Sequence, residues 1–146
     1  MKQLLIIFAF SLIVVSCKKK EEDSCSSCPV GGGSEPTGFY FAKNSGAAVK
    51  ADSAYFYPST KTIIAYYYGM TNRVIIKTSA QSVGVYGFTT TANTCKYIEP
   101  LWSYNATSGS INITSNANGK MSGSFTSGGG GVATAISGNF KDITQK

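Results

Sequence analysis

From Thr37 to Lys146, apolar and polar residues alternate with a period of two. No stretch of 11 or more residues sustains the 3.6-residue period of an amphipathic helix. A period of two places successive side chains on opposite faces of an extended strand. This part of the chain can therefore bury an apolar surface only as sheet, with one dry face and one wet face. The alternation is clearest towards the end. Ile111 and Ile113 oppose Ser110, Asn112 and Thr114, and Met121 and Phe125 alternate with Lys120, Ser122, Ser124 and Thr126. Val132, Thr134, Ile136 and Phe140 alternate with Ala133, Ala135, Ser137, Asn139 and Lys141. Asn118-Gly119 is a strong hairpin signal, and the glycine run 128–131 reads as a flexible turn. These segments predict an antiparallel C-terminal meander.

Upstream, residues 38–43, 54–57, 61–68, 73–78 and 83–89 read as strands. Pro58-Ser59-Thr60 and Gly69-Met70-Thr71-Asn72 read as connections. Residues 96–105 read as one further strand, bulged or at an edge because Pro100 lacks a backbone donor. The expected fold is all-β: an antiparallel β-sandwich or small barrel-like sandwich of about eight or nine strands. A chain of this size buries roughly 65% of its unfolded surface in one core. Three similar tetrads, Ser108-Gly109-Ser110-Ile111, Ser122-Gly123-Ser124-Phe125 and Ser137-Gly138-Asn139-Phe140, recur at spacings of 14 and 15 residues. Glycine inside a strand costs stability unless something needs its space. Large aromatics, Trp102 or a tyrosine, are expected to lie over these glycines.

The N-terminus has a different character. Met1-Lys2-Gln3 carries one positive charge, and residues 4–15 are apolar except Ser11. That run suits a signal-peptide core and falls well short of the ~20 residues a spanning helix needs. It ends Val14-Val15-Ser16-Cys17, which resembles a bacterial lipobox, with Val14 where leucine is usual. Cleavage before Cys17 and acylation of its thiol would anchor the mature chain to a bilayer. Lys18-Lys19-Lys20-Glu21-Glu22-Asp23 follows and resembles the surface-export signal of some Bacteroidota lipoproteins. Lysine at position 18 favours the outer membrane over the inner one. Residues 24–36 are rich in Ser, Gly and Pro, so residues 18–36 read as a tether with an r.m.s. span of roughly 25 Å. The organisation expected is a signal peptide at 1–16, a lipidated cysteine and tether at 17–36, and one β domain at 37–146.

Three cysteines remain after Cys17. Cys25-Ser26-Ser27-Cys28 has redox-motif spacing, but it sits in a linker with no βαβ context. Export puts it where disulfides persist. One disulfide is expected, either within the Cys25–Cys28 loop or from the tether to Cys95, with one thiol left over. The chain has no histidine, and no second Cys-x-x-Cys completes a zinc set. No metal and no cofactor are expected.

The strings Tyr104–Thr114, Lys120-Met121-Ser122-Gly123-Ser124-Phe125 and Ser137–Ile143 together resemble an uncharacterised domain of Bacteroidota outer-membrane lipoproteins. Phe41-Ala42-Lys43 and Gly84-Val85-Tyr86 also fit, while Ala47–Ala51 departs where a tryptophan is common. The resemblance implies a fold and a location. It defines no catalytic residue.

Composition narrows function further. Residues 37–146 hold nine Lys+Arg but only Asp52, Glu99 and Asp142 as acids, so histidine-based and paired-carboxylate chemistry lack their groups. A non-enzyme is expected. The cations are spread singly and only Arg73 is arginine, so nucleic acid is not an expected partner. The leading expectation is a monomeric interaction or structural accessory domain that meets an envelope protein. The alternative is a glycan or small-ligand binder, with Tyr67 and Trp102 as stacking residues among many tyrosines. Asp52-Ser53-Ala54 resembles a short Bacteroidota O-glycosylation site, with Ser53 as acceptor.

Overall fold

A computed structural model describes residues 36–89 and 91–146. Cys17, Cys25 and Cys28 lie outside them, as do the expected signal peptide and almost all of the expected tether. The described residues form ten strands and no helix: β1 (Gly38–Lys43), β2 (Val49–Lys50), β3 (Ser53–Tyr57), β4 (Thr62–Tyr67), β5 (Asn72–Lys77), β6 (Gly84–Gly87), β7 (Thr94–Ile98), β8 (Ser103–Ala117), β9 (Lys120–Gly131) and β10 (Ala135–Gln145). The sheet closes on itself. β3, β4, β5, β7, β8, β9 and β10 make a seven-strand barrel-like ring, with β1 and β2 added at β10 and β6 at β8.

Two long strands make closure possible because each changes neighbours along its length. β8 pairs β9 throughout, while its other edge pairs β7 at Ser103–Asn105 and β6 at Ser110–Ile113. The change of neighbour follows a register shift between Ala106 and Ser108, beside Gly109 at φ 96°. An added Cβ at Gly109 would lie 2.1 Å from the Thr126 carbonyl oxygen, so only glycine fits there. β10 behaves alike. Its edge pairs β1 through Lys141, and after a bulge at Asp142 (φ 54°) it meets β3 at Thr144 and Gln145. The Ser122 hydroxyl accepts from the Asp142 N–H at 3.0 Å and fixes the bulge. The β10–β3 contact is parallel and short, whereas every other pairing is antiparallel.

The expected meander is present, with its turn at Asn118-Gly119 (φ 54° and 70°). Three expectations need correcting. Residues 96–105 are not one strand: Pro100 lies in a hairpin, and Glu99 and Trp102 exchange backbone hydrogen bonds at 2.8 and 3.3 Å. Proline's fixed φ suits the corner of a tight turn. The run 128–131 is not a turn but the end of β9, paired with Tyr104–Ala106 and Ser108. Its strands approach so closely that a Cβ at Gly129 would meet the Asn105 carbonyl oxygen at 2.1 Å. Third, the aromatics over Gly123 and Gly138 are neither Trp102 nor a tyrosine. A Cβ at Gly123 would lie 2.7 Å from Phe140, and one at Gly138 would lie 2.7 Å from Phe125.

Register explains that reciprocity. Across β1, β10 and β9 one row reads Phe39, Phe140, Gly123 and the next reads Phe41, Gly138, Phe125. Between β10 and β9 phenylalanine and glycine alternate in both directions, so the Phe140 ring leans over Gly123 and the Phe125 ring over Gly138. Phe39 lies 5.9 Å from Phe140 in a stacked pair and 5.5 Å from Phe125. All four phenylalanines are buried, and Phe41 extends the cluster to Tyr67 at 4.5 Å and Tyr97 at 5.0 Å. Adding one methyl at either glycine overpacks this cluster and drives into a neighbouring strand's carbonyl oxygen, that of Asn112 at 2.2 Å or of Tyr40 at 2.1 Å. Gly123→Ala and Gly138→Ala are each expected to cost about 1–3 kcal/mol, measured as a fall in the urea unfolding midpoint. Gly119→Ala meets nothing within 4 Å and tests the turn alone.

Candidate binding rim

Two hairpin tips lie side by side at one end of the barrel. The β4–β5 connection runs from Tyr68 to Thr71, and the β7–β8 connection runs from Glu99 to Trp102. β5 pairs β7 with Arg73 opposite Ile98, so the residues just beyond that pair belong to the two tips. Tyr68 is close enough to Tyr97 to affect its phenol electrostatically. Among the described residues six large hydrophobic side chains are exposed, and four of them, Tyr68, Met70, Leu101 and Trp102, sit on these tips. Leu101 is 85% exposed and Trp102 68%.

The first tip is held in an unusual backbone. Tyr68, Gly69 and Met70 have φ of 52°, 64° and 73°. Left-handed conformation costs a non-glycine residue roughly 1–2 kcal/mol. The surroundings enforce it: the Asp52 carboxylate accepts from the Gly69 N–H at 3.0 Å, and the Thr71 hydroxyl donates to the Tyr68 carbonyl. The strain turns two apolar side chains outward, a cost that structure often carries where it serves a site.

A polar relay lies between the tips. Lys43, at the end of β1, donates to Glu99 at 2.7 Å and stands 5.1 Å from the Tyr97 ring centroid. The Asn72 amide donates to the Tyr97 hydroxyl at 3.1 Å. The hydrogen bond from Lys43, and then that from Tyr97, holds the Glu99 carboxyl below its ordinary value near 4.5. Burial raises the Tyr97 phenol well above the usual range, and its interaction with Glu99 adds to the shift.

The structure separates the two expected stacking residues. Trp102 is on the rim and exposed. Tyr67 is not available: it is buried at the end of β4, packed on Phe41, and its hydroxyl has no hydrogen-bond partner. Strand parity decides this, because Tyr67 shares the inward face with Ile63 and Ala65. Its neighbour Tyr68 takes the exposed position, one residue past the strand. Ser53 opens β3, half-buried and paired with Tyr66. Cys95 is a free, buried cysteine on β7. Its Sγ lies 3.9 Å from the Ser127 hydroxyl, which accepts from Tyr104 and donates to the Ile136 carbonyl, each at 3.0 Å. Burial pushes the Cys95 thiol up to about 12, against a smaller opposing effect of Ser127. The described residues contain no group of three or more His, Cys, Asp or Glu that could hold a metal ion.

Sequence reasoning missed Leu101, Met70 and the Lys43–Glu99 pair. Pro100-Leu101, an apolar residue at a proline corner, was a usable signal for the first. The ion pair joins residues 56 apart and had none.

Two predictions follow from these contacts. Tyr67→Phe removes an unsatisfied buried hydroxyl and should be neutral or stabilising by up to about 1 kcal/mol. Tyr67→Ala should cost about 3–5 kcal/mol, both read by urea denaturation. A carboxyl with a lowered folded pKa contributes stability above its unfolded pKa and loses it as pH falls through the folded value. Glu99→Gln should therefore cost up to about 1 kcal/mol at pH 7, given the exposed lysine. The difference from the parent should vanish as pH drops below the carboxylate range.

No protein-family model matches this chain, and no curated protein or solved structure matches it either.

Proposed function

We propose that this chain is a lipid-anchored, non-catalytic interaction domain of the bacterial outer membrane, held through acylated Cys17. The rim of Tyr68, Met70, Leu101 and Trp102 docks an envelope protein. The observation that carries this reading is the gathering of four exposed apolar side chains on two adjacent tips. Scattered apolar residues are ordinary on a protein surface, whereas a contiguous group marks an interaction site. Tryptophan, tyrosine and methionine around a single fixed ion pair match the make-up of a protein–protein interface core.

The position of the rim favours the same reading. Lys43 stands beside Glu99 at the rim, while Gly38, where the domain begins, is at the far end of β1. Five residue steps along the strand separate the two by roughly 17 Å. A chain anchored through its N-terminus enters the domain opposite the rim, and the tether keeps the rim clear of the bilayer. The resemblance to Bacteroidota lipoproteins agrees with this placement, as does the lipobox at 14–17. A second reading, glycan stacking on the rim, has the exposed Trp102 ring in its favour.

Cross-linking of intact cells, followed by affinity purification of the full chain, tests the reading. The parent should recover one defined envelope protein. Leu101→Ser with Trp102→Ser should lose it while the thermal midpoint stays within about 2 °C, as exposed positions permit. Unchanged recovery by the double variant would sink the proposal. Loss of binding to a neutral oligosaccharide in Trp102→Ala alone, with protein recovery intact, would favour the second reading.

A further inference from the structure

The outer surface of β3, β4, β5 and β7 carries a feature independent of the rim. Cross-strand register aligns Tyr55, Ile64, Ile75 and Lys96 in one row. Each lies between inward-facing neighbours, so the row points to solvent. The flanking rows add Tyr66 beside Arg73 on one side, and Tyr57 and Lys77 on the other. An open sheet face is usually polar. Here the centre is aromatic and aliphatic, and cations lie on it and around it.

The charges are of one sign. Arg73 and Lys77 project from the same strand four residues apart, a separation of roughly 13 Å, and Lys96 stands between them one strand away, about 5 Å to the side. The Lys146 ammonium lies 4.0 Å from the Tyr55 ring centroid. No Asp or Glu side chain occurs in the three rows. Asp52 is engaged with Gly69 and Glu99 with Lys43. Burial raises the Tyr66 phenol above its usual range, and the nearby Tyr57 adds to the shift while Arg73 and Lys146 oppose it.

We propose that this face binds an acidic polysaccharide, a linear chain of sugar rings bearing carboxylate or sulfate groups. Tyrosine rings offer flat apolar faces to the C–H faces of sugars and hydroxyls to their rims. A row of cations at strand spacing meets regularly placed anions on an extended polymer. The open outer wall of the barrel can lie along such a chain, whereas a small ligand needs a concave pocket. Nucleic acid fits less well, because phosphate and base recognition favour the planar arginine fork and Arg73 is alone. A lipid surface fits less well too, because none of the exposed large apolar side chains among the described residues is on this face.

The test is a titration of the purified full chain with polygalacturonate. Dextran serves as the uncharged control, and poly(dT) and phosphatidylglycerol vesicles are the other polyanions. Polygalacturonate should bind, dextran should not, and affinity should fall as sodium chloride rises from ~50 mM to ~500 mM. Arg73→Gln with Lys96→Gln should weaken binding about tenfold, equivalent to about 1.4 kcal/mol. Tyr66→Ala should weaken it at unchanged charge, which a purely coulombic attraction would not do. Equal binding of dextran, equal or tighter binding of poly(dT) or vesicles, or an unaltered affinity in the charge variant would each overturn the proposal. Leu101→Ser with Trp102→Ser should leave polygalacturonate binding intact. Failure here with protein recovery at the rim intact defeats this inference alone, and the reverse defeats only the rim.

Discussion

The packing of Phe39, Phe41, Phe125 and Phe140 against Gly123 and Gly138 is the constraint on which the rest of the structure depends. Four large rings cannot share one inward face of three adjacent strands at a spacing of about 5 Å unless some positions carry no side chain. Two glycines in reciprocal register provide the room. β1 is thereby fixed on β10, and Phe41 reaches the aromatic pair Tyr67 and Tyr97 on β4 and β7. A contact made on one side of the barrel thus sets the end of β1, and with it the position of Lys43 beside Glu99 at the rim.

Closure of the ring depends on local irregularity. A perfectly regular β8 would keep one neighbour along its whole edge, and so would β10. The shift near Gly109 and the bulge at Asp142 let each strand bend away from one partner and towards another. The parallel contact of Thr144 and Gln145 with β3 then completes the barrel, aided by the Lys146 N–H donating to the Phe56 carbonyl at 2.8 Å. The same step lays Lys146 across Tyr55, so the closing contact also helps to build the basic aromatic face.

Local chemistry was legible where a residue acts through its own backbone. Asn118-Gly119 marked its turn because both positions accept positive φ. Gly38–Lys43 was readable as a strand from alternation alone. Pro100 was readable as an interruption, but not as a hairpin corner, because a missing donor fits an edge, a bulge or a turn equally well. The run 128–131 misled for a related reason. Glycine lowers the barrier to turning, yet here it serves close pairing with β8, a partner more than twenty residues away.

The sequence by itself determined that residues 37–146 form an all-β domain, with Asn118-Gly119 at one turn and Ile111, Ile113, Phe125 and Phe140 in its core. These follow from side-chain period and turn geometry, which are properties of neighbouring residues. Only the tertiary structure decided which aromatics face outward. Tyr67 and Tyr68 are adjacent and chemically alike, yet one is buried against Phe41 and the other is 65% exposed, because β4 ends between them. It also decided which tips meet. Trp102 and Met70 share a rim because β5 pairs with β7 at a register of Arg73 to Ile98, and no local rule sets that register.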